Sequence, residues 1–202
     1  MPQYKSIVIG CDNGCTGTIA AFGDGSLIDF REQYSYSWRK PHVKTRNSYM
    51  SRIDYPKLLS WIANLKKQTE SIVAIIERPM TDETRFHQTI SSHHAQEALM
   101  IALESCGVKF CTVDSSEWQK IYLPGISGSK VLKIASKDKA KELYPEHVSL
   151  IEKHGDADAI FIAKMGVDHP NKCIIDEIKP KAKEKHRLKK IFTTNFSEVK
   201  KK

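Results

Sequence analysis

Three acidic residues lie at the end of, or inside, apolar segments, where a buried carboxylate is unfavourable unless a cation neutralises it. Asp12 ends the first apolar run, Glu77 ends a later one, and Asp158 lies inside an apolar stretch. An unpaired charge in such surroundings is unfavourable. Gathering the three carboxylates around divalent metal would remove that cost, because hard oxygen ligands suit magnesium or manganese. Two such ions ~3.5–4 Å apart can activate water and stabilise a leaving oxygen.

Each of these acids taken alone also fits a simpler structural role. Asp12 is a good turn former, Glu77 suits a strand-end ion pair, and Asp158 is a charge that a helix start favours. The metal site is therefore indicated by the three acids jointly, and it requires elements that bring them together.

Apolar periodicity predicts the elements that must do so. Runs bounded by turns predict strands over 6–12, 17–22, 26–33, 71–76 and 108–113. Helical spacing predicts helices over 56–67, 92–106, 115–121, 131–143 and 156–167.

Two segments are irregular at this level. Residues 81–89 are predicted to be a polar loop. Residues 31–52 contain six Lys/Arg and one acid interleaved with aromatic residues, which predicts a long loop or a pair of irregular strands.

The order of elements predicts an α/β fold class. Three strands joined by tight turns form an antiparallel meander, and the alternating helices and strands that follow imply a mixed sheet with helices on its faces. Ligands in such sheets gather at strand ends, which is where Asp12 and Glu77 fall.

Charge divides the chain into a neutral body and a basic tail. The 202 residues carry a net charge of +8, with 32 Lys+Arg against 24 Asp+Glu, and residues 179–202 hold 10 of the bases but only two of the acids. We therefore expect a folded domain over 1–168 and a basic tail over 169–202, which favours a polyanionic partner such as nucleic acid.

No apolar run is long enough to cross a membrane. The five cysteines and the polar start lead us to expect an intracellular, cytoplasmic protein.

Three segments together resemble the acidic motifs of RuvC-type Holliday junction resolvases. They are IGCDNGCTGTIA at 9–20, IIERP at 75–79 and DADAIFIA at 156–163. The virus- and phage-encoded branch of that family is also similar at 116–120 (SEWQK), 128–130 (GSK) and within 139–145. The resemblance covers roughly residues 5–168, with the motifs in the family's order and spacing.

The resemblance implies an RNase H-like fold, a homodimer, and magnesium-dependent nicking of branched DNA such as four-way junctions at symmetric positions. Asp12, Glu77 and Asp158 match the family's metal-binding acids. The family usually has a fourth acid or a histidine three or four residues before the last aspartate. This chain has His154 four residues before it and Asp156 two before it, so both enter the predicted site.

Helix geometry leaves three arrangements open for His154 and Asp156. If the last helix already includes His154, that imidazole shares a face with Asp158, because residues four apart are displaced by only ~40°. If the helix begins at Asp156, that carboxylate caps it. In the third arrangement Asp156 points at the metals beside Asp158. The pattern favours His154 over Asp156 as the fourth ligand.

Basic and aromatic residues near these motifs are candidates for DNA contacts. Arg78 directly follows Glu77 and is placed to neutralise a phosphate, and Phe86 is a candidate to stack on or wedge into a junction. Between 120 and 141 the chain is rich in lysine. Three of these residues follow helical spacing fit to track a phosphate backbone. The lysines assigned to DNA are Lys120, Lys130, Lys133 and Lys137.

Two other functions compete with a nuclease. The spacing of Asp12, Gly14 and Thr16 also resembles the first phosphate loop of actin-like and sugar-kinase ATPases, but that fold needs two such domains. A nucleotide-binding assay without magnesium would separate the two. The chain could also be a catalytically inactive protein that binds branched DNA, and the intact acid trio argues against it.

The basic tail should raise DNA affinity without selecting DNA structure. Deleting 179–202 removes the whole net charge of +8. Binding should weaken for every DNA, and the dependence of log affinity on log salt should become shallower. Titrations of junction and duplex at several salt concentrations measure this; lost discrimination with an unchanged salt slope would contradict it.

Overall fold

The computed structural model describes residues 2–39, 49–81 and 83–172. Its strands are β1 (Tyr4–Cys11), β2 (Thr18–Gly23), β3 (Ser26–Glu32), β4 (Ser35–Arg39), β5 (Tyr49–Ile53), β6 (Thr69–Glu77) and β7 (Lys109–Val113). Its helices are α1 (Tyr55–Lys67), α2 (Phe86–Ser105), α3 (Ser115–Tyr122), α4 (Ser129–Leu143), α5 (Val148–Ile151) and α6 (Asp158–Asp168). The predicted tail lies outside the described residues from 173 onward.

The main sheet has five strands in the order β3-β2-β1-β6-β7. β1 pairs antiparallel with β2, and β2 with β3, which forms the predicted meander. β1 pairs in parallel with β6, and β6 with β7. The prediction of a mixed sheet is confirmed.

Helices cover both faces of this sheet because the strands alternate apolar side chains between two cores. Ile7, Ile9 and Cys11 of β1 pack with residues of α1 and α2. On the other face, residues of β2, β6 and β7 pack with Trp118 of α3 and with the almost wholly buried α6. The predicted α/β class is confirmed.

Parallel pairing brings two strand ends together at one edge of the sheet. Cys11 lies opposite Ile76, so the residues that follow them, Asp12 and Glu77, emerge side by side. α6 crosses β1 at the same end. A Cβ on Gly10 would collide with the Ala159 carbonyl oxygen and with Ala163, so glycine at this position is what lets α6 approach the strand.

The structure corrects the predicted starts of two helices. α2 begins at Phe86, not at 92, so the predicted loop over 81–89 is wrong from residue 86 onward and Phe86 belongs to a helix. α6 begins at Asp158, with Ala157 as its N-cap. The first turn of α2 is exposed, so apolar periodicity begins later than that helix. Residues 156 and 157 before α6 are buried like the helix itself, so burial does not mark where α6 begins.

The segment over 31–52 contains the pair of strands that was one of its two predicted forms. β4 and β5 form a separate two-stranded antiparallel sheet, with Ser35 opposite Ile53 and Arg39 opposite Tyr49. β5 packs against α2. Residues 40–48 between the two strands lie outside the described part of the chain.

Among the described residues, no helix combines the length and the apolar character needed to cross a membrane. Cys11, Cys15, Cys106 and Cys111 form no disulfide bonds within the described part of the chain.

Replacing Gly10 with alanine should destabilise the protein. The added methyl meets backbone atoms of α6, which cannot move as a flexible side chain would. The expected loss in free energy of unfolding is about 1–3 kcal/mol, typical of overpacking. Urea denaturation measures it.

Gly155→Ala is the matched control, because a Cβ on Gly155 meets nothing within 4 Å. Its free energy of unfolding should stay within about 0.5 kcal/mol of the parent. Equal stabilities for the two variants would show that α6 does not depend on close approach at Gly10.

Candidate active site

Three carboxylates converge where β1 ends and α6 begins. Oxygens of Asp12, Asp156 and Asp158 lie within 4.8 Å of one another. Asp12 directly follows β1, and its backbone N–H donates to the Thr18 carbonyl at 3.0 Å, which ties the turn to β2. A Cβ on Gly17 would meet Asp12 Oδ2 at 2.7 Å, so this glycine leaves room for the carboxylate.

Glu77 stands beside this cluster without belonging to it. It ends β6, and after burial its negative charge is the largest influence that raises the pKa of Asp12. Two neighbouring carboxyl groups resist being ionised together. The predicted neighbourhood of Asp12 and Glu77 at one sheet edge is present in the structure.

Burial and mutual repulsion raise the pKa of the acids in this group. Burial, followed by the negative charge of Asp158, raises the pKa of Glu77 to about 7. Burial, followed by the charge of Asp156, raises the pKa of Asp158 to about 6. The pKa of Asp12 is also raised well above its ordinary value, first by burial and then by Glu77. Nearby positive charge therefore does not neutralise Asp12, Glu77 and Asp158 completely.

The donor set fits a divalent metal ion. All the candidate ligands are carboxylate oxygens, which magnesium and manganese prefer. Asp158 Oδ1 is buried and finds no hydrogen-bond partner among the described residues. A buried carboxylate oxygen without a donor is costly, and a cation held between Asp12 and Asp158 would satisfy it.

Asp156 and His154 do not occupy the places that were expected of them. Asp156 does not cap α6, whose N-cap is Ala157. Its side chain turns into the cluster beside Asp158, which is the third of the arrangements left open. The preference for His154 is wrong in geometry: it precedes the helix, its ring packs edge-on against Phe30, and its Nδ1 lies 3.6 Å from Glu32 Oε1.

Three polar residues that the sequence did not pair with the acids lie at the site, and one of them, Lys133, was predicted to contact DNA. Thr18 Oγ1 donates to Asp156 Oδ1 at 3.1 Å, and Lys133 Nζ donates to Asp156 Oδ2 at 2.9 Å. The Ala157 N–H donates to Ser136 Oγ at 3.4 Å, which ties α4 to the start of α6. Lys133 and Ser136 stand three apart on α4, and this spacing is the signal that could have paired them.

A cleft of about 240 Å³ opens beside Asp12 and Glu77. Arg78 lines it and is exposed, with its Nε 3.5 Å from Asp114 Oδ1. Asn13 also lines it, and both of its amide atoms are buried without a hydrogen-bond partner in the described chain. Asn13 follows Asp12 directly, so its unpartnered amide lies beside the acids at the cleft.

The remaining DNA-contact candidates are spread around this edge. Phe86 is 63% exposed in the first turn of α2. Lys120 on α3 and Lys130 at the start of α4 are exposed. Lys137 is partly buried, with its Nζ 3.4 Å from the Glu152 carbonyl. The three α4 lysines that were assigned to DNA, Lys130, Lys133 and Lys137, therefore do not form one free row, because Lys133 pairs with Asp156.

Comparisons with known proteins bear on the fold. No family model matches the chain, and no curated protein matches it. The structure of T. thermophilus RuvC in complex with a Holliday junction substrate is similar, with a TM-score of 0.51 and 12% identity over 82% of this chain and 95% of that one. Another Thermus thermophilus RuvC structure has a TM-score of 0.46 and 14% identity over 82% and 96%. The first similarity shows that the chain has a RuvC-like, RNase H-like fold.

With metal removed, the free energy of unfolding should fall as the pH rises from about 4 to about 7. Glu77 and Asp158 keep protons in the folded state up to pH values of about 7 and about 6. In the unfolded chain both lose them near pH 4. The stabilisation is complete below the unfolded pKa values and disappears as the pH passes through the folded ones. We expect a change on the order of 2 kcal/mol.

Urea denaturation in EDTA across this pH range is the measurement. Glu77→Gln removes the group with the higher pKa and should flatten the upper part of the profile. Saturating magnesium should flatten it in the parent protein, since bound cations replace the protons. A profile that is level in EDTA, or that rises with pH, would show that these acids are not crowded.

Proposed function

We propose that this protein is a divalent-metal-dependent endonuclease that cleaves Holliday junctions and related branched DNA. The observation that carries the proposal is the convergence of Asp12, Asp156 and Asp158, with Glu77 alongside, at one sheet edge of a RuvC-like fold. The crowding of buried acids supports a cation-binding role, and the fold is one that T. thermophilus RuvC uses on a Holliday junction.

Magnesium is the metal we propose, with two ions per site and manganese as a substitute. Bound there, the ions would activate a water and stabilise the leaving oxygen. Asp12 and Asp158 are the proposed direct ligands, because their oxygens lie within 4.8 Å of each other and no donor among the described residues competes for Asp158 Oδ1. Glu77, next to Asp12, completes the ligand set on the cleft side.

Residues around the acids would orient the phosphodiester. The exposed Arg78 guanidinium at the cleft can neutralise a non-bridging phosphate oxygen, and the amide of Asn13 can bond to the same group. Hydrolysis adds water to phosphorus and breaks the bond to the 3′ oxygen, which leaves a 5′-phosphate and a 3′-hydroxyl. Phe86, exposed at the start of α2, is placed to stack on an unpaired base.

We also propose that the protein acts as a homodimer and belongs to the virus- and phage-encoded branch of the resolvases. A four-way junction is two-fold symmetric, so a two-fold dimer would present one active site to each of two equivalent strands. The branch is supported by the sequence similarity at 116–120 and 128–130, which the structure places on α3 and at the start of α4. Sedimentation equilibrium, with and without junction DNA, tests the dimer.

A direct test uses synthetic DNA. The protein is incubated with a four-way junction, a linear duplex and a flap, each with magnesium and with EDTA. Symmetric nicks in the junction that require magnesium support the proposal. Tight, structure-selective binding without nicks under any metal condition would instead favour the inactive DNA-binding protein.

Asp12→Asn, Glu77→Gln and Asp158→Asn should each abolish cleavage while junction binding persists. Each substitution removes a negative ligand and keeps the side-chain shape. Because metal chemistry supplies several kcal/mol of transition-state stabilisation, the rate should fall about a thousandfold or more. Binding depends chiefly on cations elsewhere and should change little.

Asp168→Asn is the matched control. Asp168 ends the same helix, about 15 Å from Asp158 at 1.5 Å per residue. It pairs with Lys164 and Tyr122 on the protein surface. This variant should cleave at the parental rate. Near-parental cleavage by any of the three active-site variants would show that its carboxylate is not a metal ligand.

A further inference from the structure

Lys133 carries the positive charge that lies nearest to Asp156 in the acidic cluster. Its Nζ is 2.9 Å from Asp156 Oδ2. The side chain of Asp156 is 3% exposed, whereas that of Lys133 is 56% exposed. The lysine thus reaches from the surface of α4 to a buried carboxylate with only its end group inserted.

Both oxygens of Asp156 are occupied by protein donors. Thr18 donates to Oδ1 and Lys133 to Oδ2. Asp158 differs, because its Oδ1 is buried and unpartnered within the described chain. A divalent ion can therefore reach Asp158 directly, but it must compete with an ammonium group for Asp156.

An ammonium group and a divalent ion compete for the same carboxylate. The oxygens of Asp12 and Asp158 lie within 4.8 Å of those of Asp156, so an ion shared by the cluster would lie within a few ångströms of Lys133 Nζ. Like charges at that separation repel strongly in a site with little water. Simultaneous binding of the Lys133 ammonium and a divalent ion to Asp156 is therefore unfavourable.

We propose that Lys133 is a tethered counter-cation, which holds Asp156 while no divalent ion is bound and leaves that carboxylate when one binds. This inference rests on the metal site of the proposed function. The released ammonium would stay at the mouth of the site, where it can meet a DNA phosphate. Lys133 would then neutralise Asp156 before metal binding and contact a DNA phosphate after it.

The packing of α4 allows the lysine to move while its helix stays in place. Ser136, one turn further along α4, is fully buried and accepts the Ala157 N–H, so the helix is held against the start of α6 without Lys133. The exposed stem of Lys133 has four rotatable bonds and can swing outward. The movement needs no change in backbone.

Amine labelling of the unmodified protein tests the displacement. Acetylation of each lysine is followed by mass spectrometry in EDTA and in saturating magnesium, with no DNA present. Labelling of Lys133 should become at least about threefold faster with magnesium, because its end group leaves the carboxylate that masks it. Lys130 on the same helix is exposed and serves as the internal control, with an unchanged rate.

Thermal denaturation of Lys133→Met and Lys130→Met provides a second test. In EDTA, Lys133→Met leaves a buried carboxylate unpaired and should lower the melting temperature by several degrees, whereas Lys130→Met should not. Saturating magnesium should remove most of this difference. Calorimetric titration should show magnesium binding Lys133→Met several-fold more tightly than it binds Lys130→Met, because both have lost one charge but only one has lost the competitor.

The outcomes separate this inference from the proposed function. If magnesium raises the melting temperature of the parent protein but Lys133 labels equally with and without it, the counter-cation role is wrong and the nuclease proposal stands. Weaker magnesium binding by Lys133→Met than by Lys130→Met would also overturn it. If the parent protein shows no magnesium binding and no cleavage, the proposed metal site fails and this inference fails with it.

Discussion

Repulsion among carboxylates at one end of the sheet is the constraint on which the rest of this structure depends. Parallel pairing of β1 with β6 places Asp12 and Glu77 side by side. Asp158, the first residue of α6, lies next to Asp12. Burial and mutual repulsion raise the pKa values of these groups. Protons, a nearby base or metal ions can neutralise such a concentration of acids, so the feature that weakens the metal-free protein also favours a cation at this site.

The scaffold around the acids is organised for close approach. The glycine at position 10 lets the backbone of α6 approach β1, and Gly17 leaves room for the Asp12 carboxylate. Neither glycine has a positive φ, so the reason for glycine at each position is what a Cβ would meet. A shift of a few tenths of an ångström at either place would change the distances between the carboxylates.

The sequence predicted what short-range pattern can determine. Alternation of apolar residues identified the strands of the main sheet, and a carboxylate at the end of each of two strands identified the edge where Asp12 and Glu77 meet. Asp156 could not be placed in the same way. Its partners, Thr18 and Lys133, are separated from it by 138 and 23 residues, and only tertiary packing brings them together. Local helix geometry allowed Asp156 to be either the N-cap of α6 or a ligand. Its long-range hydrogen bonds place it among the acids instead of at the cap.

His154 is a residue that local spacing predicted as a ligand and that the structure places outside the acidic cluster. Its spacing from Asp158 fits a ligand only if the helix already includes it, and α6 starts at Asp158. Its ring instead packs edge-on against Phe30 of β3, so the residue contributes to the packing of the loop that leads to Asp156. The fourth acid of this site is therefore positioned by its surroundings: a hydroxyl from β2 and an ammonium from α4 fix one carboxylate between two elements. Such a carboxylate can change partners without a change in fold, which is what a site that exchanges protons and lysine for metal ions requires.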